Sequence, residues 1–230
     1  PNGGGLRARL EETGFAVHEA SYGSILGEET DICQWRRKFA EHMDRIVRTR
    51  HQDELLPAGE TNDVVCFKSC YPNNLFEGVG EEPGDPDDCT RTVANAKAAY
   101  EALLPMLRQQ PDVLFVAYTA PPMVPYQPVG IKATIKSWFT DNDRGGDLAI
   151  EFNRWLVDRE NGWLAGYDLP NVVVFDYYDV LRDGNPDGYT NYPTRDGRDP
   201  HPSSEGNQKA ADAFMPFIAD AVAGMSWDRP

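Results

Sequence analysis

Three short runs of consecutive apolar residues constrain the fold of this chain more than any other feature of its sequence. They are residues 64–67 (VVCF), 113–118 (VLFVAY) and 172–175 (VVVF). None of them has the polar alternation of a strand with one face in water, and continuous apolar runs are typical of parallel strands buried on both faces. The segments between the runs contain helical patterns. We therefore expect an α/β fold with a mainly parallel sheet.

Amphipathic helices and one further strand complete the predicted order of elements. Apolar side chains recur at three- and four-residue spacing in residues 32–47, 93–107 and 204–222, which is typical of helices with one buried face. A helical region is also expected from about residue 130 to 160. Residues 15–22 are interpreted as a strand.

The amino-terminal residues are unusual for a fold of this class. We expect one domain over residues 1–230, and such domains generally begin with a central strand. This sequence instead opens with the glycines of residues 3–5 and a short helix. We therefore expect a strand that precedes Pro1. A helix start that follows glycine-rich backbone is also where a nucleophile or an anion site can be built.

Charge and cysteine content limit the partners that this chain can have. The formal net charge of −15 argues against nucleic acids and anionic membranes, and no apolar run is long enough to span a bilayer. No cysteine and histidine pairs lie at zinc spacing, so we expect no metal and no cofactor. The four cysteines permit one disulfide in a secreted protein, and we consider Cys70 and Cys89 as the pair. Cys66 is expected to be a buried, inert thiol.

A histidine between two prolines is the leading candidate for chemistry. Residues 199–207 read DPHPSSEGN, so Pro200 and Pro202 restrict the backbone on both sides of His201. Asp199 stands two positions before the histidine, where a carboxylate can select the imidazole tautomer and stabilise the imidazolium. The pattern predicts a general base, although a surface loop that caps the following helix explains the same residues.

The chain resembles the SGNH (GDSL-type) hydrolases in element order over nearly its whole length. The likeness is strongest in residues 199–207, which look like the family's Asp–His–Pro block before the final helix. Residues 22–30 (YGSILGEET) look like the block whose glycine N–H serves the oxyanion hole, and residues 68–74 (KSCYPNN) occupy the place of the asparagine block. The resemblance implies a serine esterase with a three-layer α/β/α sandwich and a flavodoxin-like sheet.

The resemblance also implies roles for individual residues. His201 is the expected general base. Gly27, which fits the glycine block better than Gly23, and Asn73, with Asn74 in reserve, are the expected oxyanion-hole donors.

The acid that orients the histidine is open to more than one assignment. The family's acidic residue usually stands three positions before the histidine, where this chain has Arg198. Asp199 stands two positions before and Asp196 five before. We favour Asp199, and a Ser–His dyad without an acid is the alternative.

The nucleophile is not visible in the sequence. The family's serine ends the first strand, so we expect it upstream of Pro1. Ser24, Ser69 and Cys70 each follow a predicted strand, but none lies in a Gly-x-Ser-x-Gly elbow.

These assignments predict a serine-type esterase that removes an O-acetyl group from a carbohydrate or hydrolyses a small ester. Tyr71, Tyr126, Tyr189 and Tyr192 follow strands and are candidates to stack on sugar rings, although core packing explains aromatic residues equally well. A non-catalytic carbohydrate-binding domain on the same scaffold is the alternative, and phosphoester or glycoside chemistry is a weaker one. The sequence fits a soluble protein and leaves export and oligomeric state open.

Overall fold

The structure is a computed structural model, and it describes residues 3–125 and 144–225. Its helices are α1 (Leu6–Glu12), α2 (Ile32–Arg48), α3 (Val93–Leu107), α4 (Arg144–Val157), α5 (Tyr177–Arg182) and α6 (Ser204–Ala223). Its strands are β1 (Thr49–His51), β2 (Glu54–Leu55), β3 (Val64–Lys68), β4 (Leu114–Tyr118), β5 (Val172–Phe175), β6 (Pro193–Thr194) and β7 (Asp199–Pro202). Two 3₁₀ turns are also present: Gly3–Gly5 precedes α1, and Tyr71–Asn74 follows β3.

Strands β3, β4 and β5 pair in that order to form a parallel sheet. In the register, Cys66 lies opposite Val116, and Val116 lies opposite Val173. Alternate residues of β4 join different hydrophobic clusters: Phe115 packs with residues of α2, α3 and α4, and Val116 packs with residues of α6. The predicted α/β class with a parallel sheet is therefore confirmed.

Aromatic packing fixes helix α2 against the sheet. The helix begins where the Gln34 side chain accepts a hydrogen bond from the Asp31 N–H at 3.1 Å, which satisfies a backbone donor at the helix start. Trp35 and Phe39 lie one turn apart on the buried face. Their rings meet Phe67 of β3 edge-on, with centroid distances of 5.3 and 5.1 Å. Edge-to-face contacts of this kind stabilise a core beyond simple area burial.

Strand β3 lies at an open edge of the sheet. Strand β4 pairs with one of its sides, and no strand of residues 3–125 or 144–225 pairs with the other. Cys66 and Lys68 are consequently exposed, whereas Val116 beside them on β4 is fully buried. Burial by the surrounding protein nevertheless raises the pKa of the Cys66 thiol to about 12 and lowers the pKa of the Lys68 ammonium. The prediction that Cys66 is buried is wrong, because its thiol lies on an exposed residue.

Residues 15–22, which the sequence predicts to be a strand, form only an isolated bridge between Glu19 and His51. The Gln52 N–H donates to the Glu19 carbonyl at 2.8 Å, and no ladder extends from this contact. A strand needs a neighbour along its length, and the three-residue β1 is too short to supply one. The predicted helical region before α4 lies outside the described residues.

One disulfide joins Cys33, in the first turn of α2, to Cys89. The expected partner of Cys89, Cys70, is a free thiol after β3, so the pairing predicted from the sequence is wrong. The acidic loop before Cys89 folds back onto α2, where Arg36 forms an ion pair with Asp87. This contact brings Cys89 to the start of α2 across 56 residues, a separation that local sequence does not encode.

Candidate active site

Asp199 and His201 form a hydrogen-bonded pair on β7. The His201 Nδ1–H donates to Asp199 Oδ1 at 2.5 Å, and the His201 backbone N–H donates to the same oxygen at 3.0 Å. The Asp199 side chain is 17% exposed and the His201 side chain 63% exposed. The carboxylate therefore fixes the imidazole ring through Nδ1, and Nε2 lies on the exposed side of the ring.

The charge of Asp199 is maintained by the groups around it. The His201 backbone N–H, followed by the imidazole, lowers the pKa of the Asp199 carboxyl group, and the nearby Arg195 acts in the same direction. Arg195 Nε lies 3.4 Å from Asp199 Oδ2. A charged carboxylate keeps the imidazole proton on Nδ1, so Nε2 presents a lone pair that can accept a proton. Asp196, the alternative acid, forms no hydrogen bond or ion pair with His201.

A tight turn joins β6 to β7 and determines how the site residues are presented. Arg195, Asp196 and Gly197 have φ values of 49°, 55° and 83°, all in the left-handed region. The Gly197 N–H donates to the Thr194 carbonyl, and the Arg198 N–H donates to the Arg195 carbonyl, both at 3.2 Å. The connection is four residues long, 195–198, and its residues of positive φ reverse the chain between Thr194 and Asp199, which are paired in the ladder.

Tyr71, just after the end of β3, contacts the hairpin β6–β7. The turn Tyr71–Asn74 follows β3, and the Tyr71 ring meets the His201 ring edge-on, with centroids 5.1 Å apart and an interplanar angle of 83°. Both rings line one open cleft, together with Arg195, Asp196 and Arg198. His201 therefore lies beyond the carboxyl end of β3, where sites in parallel sheets are usually found.

The glycines before α1 lie beside the same hairpin. Gly4 has φ of 66°, and a Cβ atom at this position would lie 2.2 Å from the Asn207 carbonyl oxygen in the first turn of α6. Only glycine tolerates both constraints. Helix α6 is capped by Ser203, whose Oγ accepts the Gly206 N–H at 3.3 Å. The backbone that enters α1 is thus packed against the helix that starts directly after His201.

Gly27, the predicted oxyanion donor, uses its N–H within its own loop. The N–H donates to Ser24 Oγ at 3.0 Å and to the Ser24 carbonyl at 3.1 Å. A Cβ atom on Gly27 would lie 1.8 Å from the Ser21 carbonyl oxygen, so close packing explains the glycine. The Gly23 N–H, the weaker candidate, donates to Glu28 at 2.9 Å.

Asn73 joins its turn to the start of α2 instead of facing the cleft with free donors. Its Nδ2 donates to Asp31 Oδ1 at 3.0 Å and to the Cys70 carbonyl at 3.2 Å. Its Oδ1 accepts the Ile32 N–H at 3.0 Å. Both amide hydrogens of Asn73 are therefore engaged.

Asn74, the reserve candidate, is fully engaged too. Its Nδ2 donates to the carbonyls of Ala120 and Pro121 at 2.7 and 3.1 Å. Its Oδ1 accepts a hydrogen bond from Asn153 Nδ2 at 2.8 Å. This buried network ties the loop after β3 to the loop after β4 and to α4.

The candidate nucleophiles within the chain do not pair with His201. Ser24 is buried, and its Oγ donates to the Ser21 carbonyl at 2.7 Å. The Ser69 Oγ is buried without a hydrogen-bond partner among the described residues, and Cys70 is a half-buried free thiol. None of these side chains is hydrogen-bonded to His201 in the part of the chain that the structure describes.

Of the tyrosines proposed to stack on sugars, Tyr71 is the one that the structure places in the cleft. Tyr192 donates its hydroxyl to Asp183 and packs beneath Lys209, so it serves the hairpin's attachment to α6. Tyr189 is half-buried elsewhere, and Tyr126 lies outside the described residues.

Sequence reasoning missed the arginines of the cleft. The dipeptide Asp196-Gly197 is a sequence signal for a turn with positive φ, and it could have indicated that Arg195 and Arg198 flank a tight turn close to His201.

Comparison with known proteins gives this chain no relative. No family model matches it, and no curated protein and no solved structure matches it either. Among the described helices, none combines the length and the apolar character needed to cross a membrane.

Proposed function

We propose that the protein is a serine-type esterase, a divergent SGNH (GDSL-type) hydrolase with a three-layer α/β/α sandwich and a flavodoxin-like sheet. Its substrate is a carboxylic ester, an O-acetyl group on a carbohydrate or a small ester. The observation that carries the proposal is the 2.5 Å contact between His201 Nδ1 and Asp199 Oδ1 at the mouth of an open cleft. A base held in this tautomer suits acyl transfer, which needs a hydroxyl proton removed at neutral pH.

The proposed nucleophile is a serine at the end of a strand that pairs with the open edge of β3. Such a strand would lie beside Cys66 and Lys68, which are exposed residues of β3. If this strand runs parallel to β3, its carboxyl end lies at the same edge of the sheet as Tyr71. In this proposal the chain leaves that strand through the turn Gly3–Gly5, which packs against α6, and then enters α1.

In the proposed reaction, His201 Nε2 accepts the serine proton as the serine oxygen attacks the ester carbonyl. Asp199 stabilises the imidazolium, which then protonates the leaving alcohol. Water, activated by the same base, cleaves the acyl-enzyme and releases the acid. The N–H of the nucleophile itself donates to the oxyanion, and one such donor contributes roughly 3 kcal/mol to the transition state.

The test is the hydrolysis of p-nitrophenyl acetate by His201→Ala in the full-length protein. We expect kcat/KM to fall by about 10³-fold or more, in line with the loss of a general base, with an unchanged circular dichroism spectrum. His51→Ala, at an exposed position on β1, is the matched control and keeps its activity. Added imidazole partly restores His201→Ala if the ring acts as a base. Undiminished turnover by His201→Ala would remove His201 from the mechanism.

A non-catalytic carbohydrate-binding domain is the second candidate. It is favoured by the engagement of all the expected donors, since the amides of Gly27, Asn73 and Asn74 already have partners within the chain. This candidate predicts binding of acetylated oligosaccharides without release of acetate. Calorimetry combined with an acetate assay on the same sample separates the two functions.

A further inference from the structure

The cleft beside His201 contains two arginines and two aspartates in a strongly acidic chain. The chain has a formal net charge of −15, yet two arginines, Arg195 and Arg198, line this cleft. The field of the whole molecule repels an anion in solution. An anionic group therefore binds here only through cations placed locally, and these two residues supply them.

The two arginines differ in how their charge is used. Arg195 is shared with Asp199 through the 3.4 Å contact of Nε with Oδ2. Arg198 is exposed, and its guanidinium makes no hydrogen bond or ion pair with any residue in the described ranges. The acidic groups that face the cleft are Asp196 and Asp199, and His201 already occupies one oxygen of Asp199. Arg198 thus retains a full set of N–H donors for a ligand.

A tight turn carries both arginines. Arg195 and Asp196 adopt the left-handed φ values that hairpin turns often need. The turn places Arg195 and Arg198 on the same cleft as the exposed ring of His201.

We propose that this cleft selects carbohydrate esters that carry a carboxylate, as in an O-acetylated uronic acid. Arg198 binds the carboxylate through paired N–H donors, a geometry that the planar guanidinium matches and a lysine does not. Arg195 adds positive charge beside it while it holds Asp199. The carboxylate is thereby fixed next to His201, and the inference rests on the esterase function proposed above.

The experiment compares one acetylated sugar in its charged and neutral forms. The substrates are an O-acetylated methyl glucuronoside and the methyl ester of the same compound, and acetate release is measured for each. We expect the charged form to be preferred at least tenfold in kcat/KM. Because exposed charges are screened by salt, that preference shrinks as ionic strength rises from 0.05 to 0.5 M, about a threefold change in screening length.

Three variants assign the preference to Arg198. In Arg198→Gln we expect the charged-to-neutral ratio of kcat/KM to fall about tenfold, and in Arg198→Lys to recover in part. Arg159→Gln removes the same charge at an exposed position after α4, outside the cleft, and serves as the matched control. Its ratio stays at the parent value. An equal fall in Arg159→Gln would assign the preference to net charge and overturn the proposal.

Calorimetric titration with unacetylated methyl glucuronoside separates this inference from the esterase function. If no substrate is hydrolysed but the uronate binds and Arg198→Gln weakens that binding about tenfold, the esterase function fails and the carboxylate site stands. If both acetylated forms are hydrolysed equally and the uronate does not bind, the esterase function stands and the carboxylate site fails.

Discussion

The hairpin β6–β7 and the two loops expected to form an oxyanion hole were assigned by the same reasoning, and they behave differently. In the hairpin, Asp199 holds one nitrogen of His201 and leaves the other open to the cleft. In the loops, the N–H of Gly27 and the amide of Asn73 are satisfied by neighbours within the chain. Polar groups that lie among buried elements find internal partners, because leaving them unpaired costs free energy. A reactive group stays available where a short exposed hairpin presents it.

The largest effect that sharpens this comparison is expected from Asp199→Asn. The amide no longer fixes the imidazole tautomer or stabilises the imidazolium, so kcat/KM on p-nitrophenyl acetate should fall by about 100-fold or more. Asp196→Asn, which removes the same charge from the turn without touching His201, should change the rate less than about threefold. If Asp196→Asn has the greater effect, Asp196 is the orienting acid and the observed contact is not the functional one.

Asn74→Ala tests whether the polar side chains of the loops stabilise the fold. The substitution leaves the Ala120 and Pro121 carbonyls without this donor and removes one of the two acceptors of Asn153 Nδ2, and a buried unpaired group costs about 1–3 kcal/mol. We expect the free energy of unfolding in urea to fall by about 3 kcal/mol. Asn161→Ala, at an exposed turn after α4, should lower it by less than about 0.5 kcal/mol. Equal stability of both variants would contradict a structural role for Asn74.

The smallest effect that we expect concerns the pKa values of two carboxyl groups at the same edge of the sheet, Asp199 and Asp176. Donors lower the pKa of Asp199, whereas burial raises the pKa of Asp176 despite its capping of α5 through the Asp179 N–H at 3.0 Å. A carboxyl group with a raised pKa stabilises the fold most below its unfolded pKa and loses that contribution as pH rises through the folded pKa.

Asp176→Asn removes this loss while keeping an oxygen that can cap α5. Relative to the parent chain, the variant should therefore gain stability between about pH 4, near the ordinary carboxyl pKa, and pH 7. Urea unfolding at both pH values measures the change. A difference between variant and parent that is constant with pH, or that shrinks as pH rises, contradicts the role of burial.

Sequence patterns predicted the sheet because a strand that is buried on both faces is a continuous run of apolar residues. The run that contains Phe115 and Val116 is apolar throughout, and each face of β4 has its own cluster. Helix α2 was predicted equally well from the spacing of Trp35 and Phe39. These features depend on neighbours only a few positions apart.

Features that depend on tertiary contacts could not be predicted from the sequence. Cys33 reaches Cys89 only because the acidic loop returns to α2. The spacing from Asp199 to His201 suggested a pair, but not that Arg195 would join it. The engagement of Gly27 could not be predicted either, because a glycine in a loop reads the same whether its N–H is free or bonded.

The uncovered side of β3 bears on how the chain behaves in concentrated solution. No strand of residues 3–125 or 144–225 pairs with this side, and an open strand edge is a template for intermolecular β-pairing, through which two copies could join their sheets. The charge of Lys68 near the end of that side opposes such dimers, as lysine does on many natural sheet margins. Self-association in solution and the pairing of this strand edge are therefore linked, and light scattering measures the self-association.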